Sequence, residues 1–170
     1  MKREKPTLII RPAIVSDAEV ISQVRHSAIT RIAADAYPKE AIDAWSGALD
    51  EHRYQRFREV IAGGQELMYV AEHRSKIIGF GSVIPSRNEL RAIYVDGDWA
   101  RCGVGAALLK QLELVARHVG CKYLELESSL NALEFYSVHG FIELARATHG
   151  VSDAYDMACI SMRKPIAHTT

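Results

Sequence analysis

The chain has 170 residues, 48% of them hydrophobic, and Lys plus Arg equals Asp plus Glu at 21 each. That length suits one globular domain over residues 1–170 with a real core. A formal charge of zero gives no reason to expect a polyphosphate backbone as partner, so nucleic acid is not expected.

No apolar run approaches the ~18 residues that span a bilayer, and the charged opening MKREKPTLII is unlike a secretory signal. Cys102, Cys121 and Cys159 are widely spaced and form no C-x-x-C, so neither a disulfide framework nor a metal site is indicated. A cytoplasmic protein with reduced thiols, no metal and no membrane partner is expected.

No repeat, low-complexity tract or linker divides the chain. Leu8 to Ile14 (LIIRPAI) is short, β-branched and ended by turn chemistry, which predicts a first strand. Ser16 to Glu19 (SDAE) has the S-x-x-E capping-box pattern, in which the Ser16 hydroxyl satisfies an orphan amide and Glu19 reaches back. A helix should follow, with Val20, Val24, Ser27 or Ala28, and Arg31 or Ile32 marking one face. Pro38 suits the first turn of a second helix (AYPKEAIDAW), where its missing amide hydrogen costs nothing. Asp50 can cap a third, which Gly63 and Gly64 stop.

Glu66 to His73 and Lys76 to Pro85 are strand-like runs separated by Arg74 and Ser75, which predicts a hairpin. Glu89 to Val95 (ELRAIYV) extends it to a meander of three antiparallel strands. A helix follows from Gly103, with Leu108, Leu109, Leu112, Val115 and Ala116 at three-to-four spacing. KYLELE then reads as a strand, NALEFYSVHG as a short helix, and the tail as two strands around Ile142 to Ala147 and Ala154 to Met162. This order predicts an α/β (α+β) fold. A mixed, mostly antiparallel central sheet is flanked by helices on both faces, and the helix from Gly103 joins two parallel neighbours.

The stretch ARCGVGAALL, Ala100 to Leu109, sets two glycines one residue apart before that helix. A helix N-terminus offers unpaired amide hydrogens and the positive end of the macrodipole, and glycine lets an anion approach the backbone. A plain turn with close packing is the other reading. A Walker loop is absent, and a dinucleotide fingerprint would need glycine where Leu108 stands.

IYVDGDWARCGVGAALL followed by NALEFYSVHGF resembles the acetyl-CoA binding core of the GNAT superfamily of N-acetyltransferases. The resemblance covers nearly the whole element order. The family loop Q/R-x-x-G-x-G/A aligns with Ala100 to Gly105, departing from the pattern at Ala100, with Arg101 one place later. The resemblance implies acetyl-CoA as cosubstrate and, at the pyrophosphate, backbone contacts from Arg101, Cys102, Gly103, Val104, Gly105 and Ala106. It also implies main-chain contacts to pantetheine from Ile93 and Val95, a hydrogen bond from Asn131, and Tyr136 as proton donor to the leaving sulfur. For Asn131 helix capping, and for Tyr136 an ordinary core position, are the alternatives.

Acyl transfer also needs a group to take a proton from the amine. Side chains alternate along KYLELESS, so Glu125 and Glu127 share one strand face. An ion pair with Arg91 is one reason for two carboxylates there, and a general base at Glu127 is the other. His149, in THGVSD between the last two strands, is a second candidate, because imidazoles exchange protons near neutral pH. Glu89 and His139 stand behind these. Tyr37 and Trp45 are candidates to line the acceptor pocket, with a helix-pair core as alternative.

The implied activity is transfer of acetyl to a primary amine, on a small molecule or a peptide, in a ternary complex. The alternative is a non-catalytic acyl-CoA sensor on the same fold. A homodimer is compatible with either.

Overall fold

The computed structural model describes residues 5–166, and Met1 to Glu4 of the charged opening lie outside the described residues. The strands are β1 (Ile9–Pro12), β2 (Leu67–His73), β3 (Lys76–Ile84), β4 (Glu89–Val95), β5 (Tyr123–Ser129), β6 (Ile142–Ser152) and β7 (Tyr155–Pro165). The helices are α1 (Ala18–Arg31), α2 (Lys39–Ser46), α3 (Glu51–Gly63), α4 (Val104–His118) and α5 (Leu133–Val138). The strands form one seven-stranded sheet in the order β1-β2-β3-β4-β5-β7-β6. Among the described residues no helix is long and apolar enough to cross a membrane.

Local chemistry accounts for most boundaries. Arg74 and Ser75 take φ of 49° and 62°, as a two-residue turn between right-twisted strands requires. Asp50 accepts from Arg53 N at 3.0 Å to start α3, and Gly64 in the left-handed region ends it. The start of α1 differs from expectation. Ser16 lies in a short 3-10 turn, Val15–Asp17, and makes no capping bond. Asp17 does that work, accepting from Ile14 N at 2.8 Å while held by Arg11 Nη1 at 2.8 Å. Arg11 in turn bonds Glu72 at 3.1 Å, tying β1, β2 and the helix start together. The capping side chain is Asp17, one position after the Ser16 that the S-x-x-E pattern names, because its carboxylate also pairs with a strand cation, a partner no local window contains.

Helices cover both faces. Phe80 of β3 and Tyr94 of β4 stack at 5.4 Å on the face that α1 and α3 cover, with Phe57 edge-on to Phe80 at 5.9 Å. On the other face Gly79 and Gly81 leave bare backbone where α4 packs. A Cβ at Gly79 would sit 2.9 Å from Val104 Cγ1, and one at Gly81 2.8 Å from Leu112 Cδ1. Leu108, Leu109, Leu112 and Ala116 of α4 are buried there. Full burial of a leucine is worth roughly 1.5–3 kcal/mol, so this face anchors α4 against the strands.

The feature that makes a site is the join between β4 and β5. They run parallel, linked by α4, but meet in register only at Glu89 and Glu125, where Glu125 N donates to Asn88 O at 2.8 Å. Beyond that point the two strands diverge, and groups from both faces of the sheet line one gap. The final strands are longer than expected, so Thr148 to Ser152 belong to β6 and not to a loop between strands.

Candidate active site

A cleft of about 1120 Å³ runs through the gap between β4 and β5. At one end lies the loop into α4. Asp96 accepts from Asp98 N at 2.9 Å, and Gly97 N donates to Ser27 Oγ at 3.1 Å, so α1 holds the loop in place. Arg101 and Gly103 both sit in the left-handed region, with φ of 61° and 85°. Two such residues within three positions turn the chain sharply, so that α4 begins at the cleft. The first helical bond runs from Ala107 N to Gly103 O at 3.1 Å. The N–H groups of Val104, Gly105 and Ala106 therefore have no protein acceptor among the described residues, and the dipole of α4 reinforces them. Gly105 faces the ring of Phe135 and the side chain of Val95, so its missing Cβ keeps open the route from this loop to the strand gap. Arg101, Gly103, Val104, Gly105 and Ala106 line the cleft. Cys102 turns its thiol to Ala100 O at 3.5 Å and is not part of the wall.

The β4 edge continues the site. Asp96 N bonds Ile78 O at 2.9 Å, and strand alternation then points the N–H and C=O of Val95 and Ile93 away from β3. Because β5 has diverged, that row of backbone groups opens onto the cleft, which Ile93 and Val95 line. Asn131, exposed in the 3-10 turn Leu130–Ala132, and Tyr136 of α5 line it also.

Tyr136 is 7% exposed, edge-on to Phe135 at 5.1 Å and to Phe141 at 5.6 Å. Its ring is core. Its hydroxyl makes no hydrogen bond among the described residues. Burial, with a smaller contribution from Tyr94, pushes its pKa far above the ordinary value of 10.0, so the phenol keeps its proton throughout the physiological range.

On the other side of the gap Glu127 and His149 meet, with His149 Nδ1 2.6 Å from Glu127 Oε2. Both line the cleft. The expectation that Glu125 and Glu127 pair with Arg91 is corrected. Glu125 takes Arg163 Nε at 2.7 Å from the adjacent strand β7, while Arg91 bonds Glu89 at 3.2 Å on its own strand. The divergence of β4 from β5 carries Arg91 away, and the β5–β7 register sets Arg163 opposite Glu125. His149 is also reassigned, from a loop to β6 opposite Met157, which makes its position that of a sheet residue. His139 is committed elsewhere, with Nδ1 2.7 Å from Phe135 O.

The two aromatic candidates for the acceptor wall separate. Trp45 lines the cleft, 6.3 Å from Tyr94. Tyr37 does not line it. Its hydroxyl donates to Ala158 O and accepts from Leu130 N, both at 2.7 Å, and so ties the segment before α2 to β7 and to the start of the turn carrying Asn131. Sequence reasoning missed Tyr94 and three arginines, Arg25, Arg53 and Arg56, which also line the cleft. Arginines on an amphipathic helix read as a solvated face, so no local signal marked them.

Among the described residues no group of three or more His, Cys, Asp or Glu is placed to hold a metal ion.

Comparison with known proteins gives one family. A family model described as an acetyltransferase (GNAT) domain matches residues 33–154. A GCN5-related N-acetyltransferase of Rhodopseudomonas palustris is 28% identical, with a TM-score of 0.84 over 97% of this chain and 98% of that one. PaiA N-acetyltransferase of Thermoplasma acidophilum, solved in complex with coenzyme A, is 21% identical, with a TM-score of 0.72 over 94% of this chain and 99% of that one. A ribosomal-protein-alanine N-acetyltransferase of Brucella melitensis is also 21% identical, with a TM-score of 0.69 over 92% and 99%. No curated protein matches the chain in sequence.

Proposed function

The chain belongs to the GNAT acetyltransferase family, and from that premise we propose that it moves an acetyl group from acetyl-CoA to a primary amine by direct attack in a ternary complex. The observation that carries this reading is the meeting, in one cleft, of three unpaired helix amides, an open strand edge, a buried phenol and a carboxylate-held imidazole.

In this reading the amides of Val104, Gly105 and Ala106 receive the diphosphate of coenzyme A, where the helix dipole favours negative charge. The backbone of Arg101, Cys102 and Gly103 shapes that cup, with the Arg101 side chain one place from the position where Ala100 has no side-chain donor. Ile93, Val95 and Asn131 take the two amides of pantetheine in the manner of an added strand. An N–H of the β4 edge polarises the thioester carbonyl and steadies the oxyanion.

His149 then accepts the proton from the attacking nitrogen, and Glu127 orients its ring through Nδ1. The nitrogen adds to the thioester carbonyl, and the C–S bond breaks as the resulting tetrahedral oxyanion collapses to the amide. Tyr136 gives its proton to the departing sulfur and regains one from solvent, so the net transfer is one proton from nitrogen to sulfur. Trp45 walls the acceptor side. The whole chain acts as one domain in this scheme.

Thiol release with an amine library, together with calorimetric titration by coenzyme A, tests the reading. Saturable release with some amine supports acetyl transfer. Tight coenzyme A binding with no turnover on any amine supports a non-catalytic acyl-CoA sensor instead.

A further inference from the structure

The acceptor side of the cleft carries positive charge that acetyl transfer does not use. Arg91 and Arg163, like most arginines among the described residues, hold a carboxylate. Arg25, Arg53 and Arg56 hold none among the described residues, and all three line the cleft. Arg25 lies 5.8 Å over the ring of Tyr94 and donates to Trp45 O at 2.7 Å and Ser46 O at 3.0 Å. Arg53 Nε donates to Ala48 O at 3.1 Å. These bonds satisfy carbonyls at the end of α2 but neutralise no charge. Arg56, three positions further along α3, has no bonded partner among the described residues.

The carboxylates of the same cleft do not offset this. Glu89 is held by Arg87 and Arg91, and Glu127 lies on β5 against the imidazole of His149. Glu66 accepts the neutral Ser82 hydroxyl and Glu134 lies on α5, so two carboxylates of the wall without a basic partner among the described residues stand against three guanidiniums. Desolvation lowers the pKa of Arg25, Tyr94 opposes that, and Arg53 and Arg56 add to it. Holding the partly buried Arg25 beside two further cations without a counter-ion is unfavourable, and a bound oxyanion reduces that cost.

We propose that the acceptor is a small primary amine carrying a compact oxyanion, a carboxylate or a phosphonate, which Arg53 and Arg56 receive beside Arg25 while its amine reaches His149. This rests on the acetyl-transfer reading above. Planar guanidiniums match the paired oxygens of such a group, and the rings of Trp45 and Tyr94 wall the space next to them. The charge thus selects among amines, which the chemistry at Tyr136 and His149 does not.

The test measures thiol release at saturating acetyl-CoA with matched sets of L-amino acids, the corresponding aminoalkylphosphonates, and the L-amino acid amides, which keep the amine and lose the charge. The charged members are expected to exceed the amides by about tenfold or more in kcat/KM. The better of the two charged sets identifies which oxyanion the site takes. Arg56→Gln, and the double variant with Arg53→Gln, should raise the acceptor KM and remove most of that preference while leaving the acetyl-CoA KM unchanged. Amides that match the acids overturn the proposal. So does a rise confined to the acetyl-CoA KM, which would place these arginines on the cosubstrate's phosphates.

Calorimetric titration of the coenzyme A-bound protein with N-acetyl-L-amino acids and their amides separates the two readings. Arginine-dependent binding of the acids without turnover of any amine keeps the anion site and removes acetyl transfer. Turnover without preference for a charged acceptor removes the anion site and keeps acetyl transfer.

Discussion

Tyr136→Phe removes one oxygen atom and separates the phenol's chemistry from its packing. The ring stays between Phe135 and Phe141, and the hydroxyl bonds no described residue, so its loss strands no partner. Folding stability should change by about 0.5 kcal/mol or less. Catalysis should change far more. A positioned general acid contributes about 10²–10⁴-fold, which at roughly 1.36 kcal/mol per decade is about 2.7–5.5 kcal/mol of barrier.

The expected result is a fall in kcat of that size in a thiol-release assay, with coenzyme A affinity by calorimetry unchanged. The same variant carries a signature in alkali. Burial raises the folded-state pKa above the ordinary 10.0, so the associated stability is complete below 10.0 and is lost as pH rises beyond it, where the unfolded phenol ionises and the folded one does not. Tyr136→Phe should flatten that part of the alkaline unfolding curve. A kcat within about threefold of wild type would refute the assignment of this hydroxyl to the leaving sulfur.

The two loop glycines should respond differently. Gly103→Ala forces a Cβ onto a residue at φ of 85° and within 3.2 Å of Lys5 Cε, and should cost about 1–2 kcal/mol in thermal unfolding. Gly105→Ala places its Cβ at ordinary contact distance, 3.4 Å, from Phe135, so stability should hold while coenzyme A binds more weakly because the route beside Val95 narrows. His149→Ala should lower kcat by about 10²-fold or more without altering the acetyl-CoA KM, and Glu127→Gln, which leaves the imidazole without its orienting carboxylate, should lower it less. Burial alone would raise the Asp17 pKa, but the Arg11 and Ile14 hydrogen bonds outweigh it and the net direction is downward. Its stabilisation is therefore present above the ordinary 3.8 and lost as pH falls through the lower folded value, so Asp17→Asn should flatten acid unfolding monitored by circular dichroism.

Several features of this protein are local, and the sequence by itself determined them. The turn at Arg74–Ser75, the Asp50 cap, the α4 face and the glycines ahead of it each depend on residues a few positions apart, and the strand and helix order follows from them. The loop could be read from its glycines for the same reason, whereas Asn131 and Tyr136 of NALEFYSVHGF were legible through the family resemblance and not from their own spacing.

Only the tertiary structure decided who meets whom across the sheet. Glu125 faces Arg163, 38 positions away, because β7 inserts between β5 and β6 and fixes that register, whereas β4 bends away and takes Arg91 with it. The same insertion brings His149 to Glu127, and a hydroxyl 93 positions from Leu130 makes Tyr37 a tie between elements rather than a wall of the cleft. Arg25, Arg53 and Arg56 gather only when α1 and α3 pack on one face of the sheet. A charge's neighbours depend on the closure of long chain loops, and hydrophobic spacing along one element carries no information about that closure.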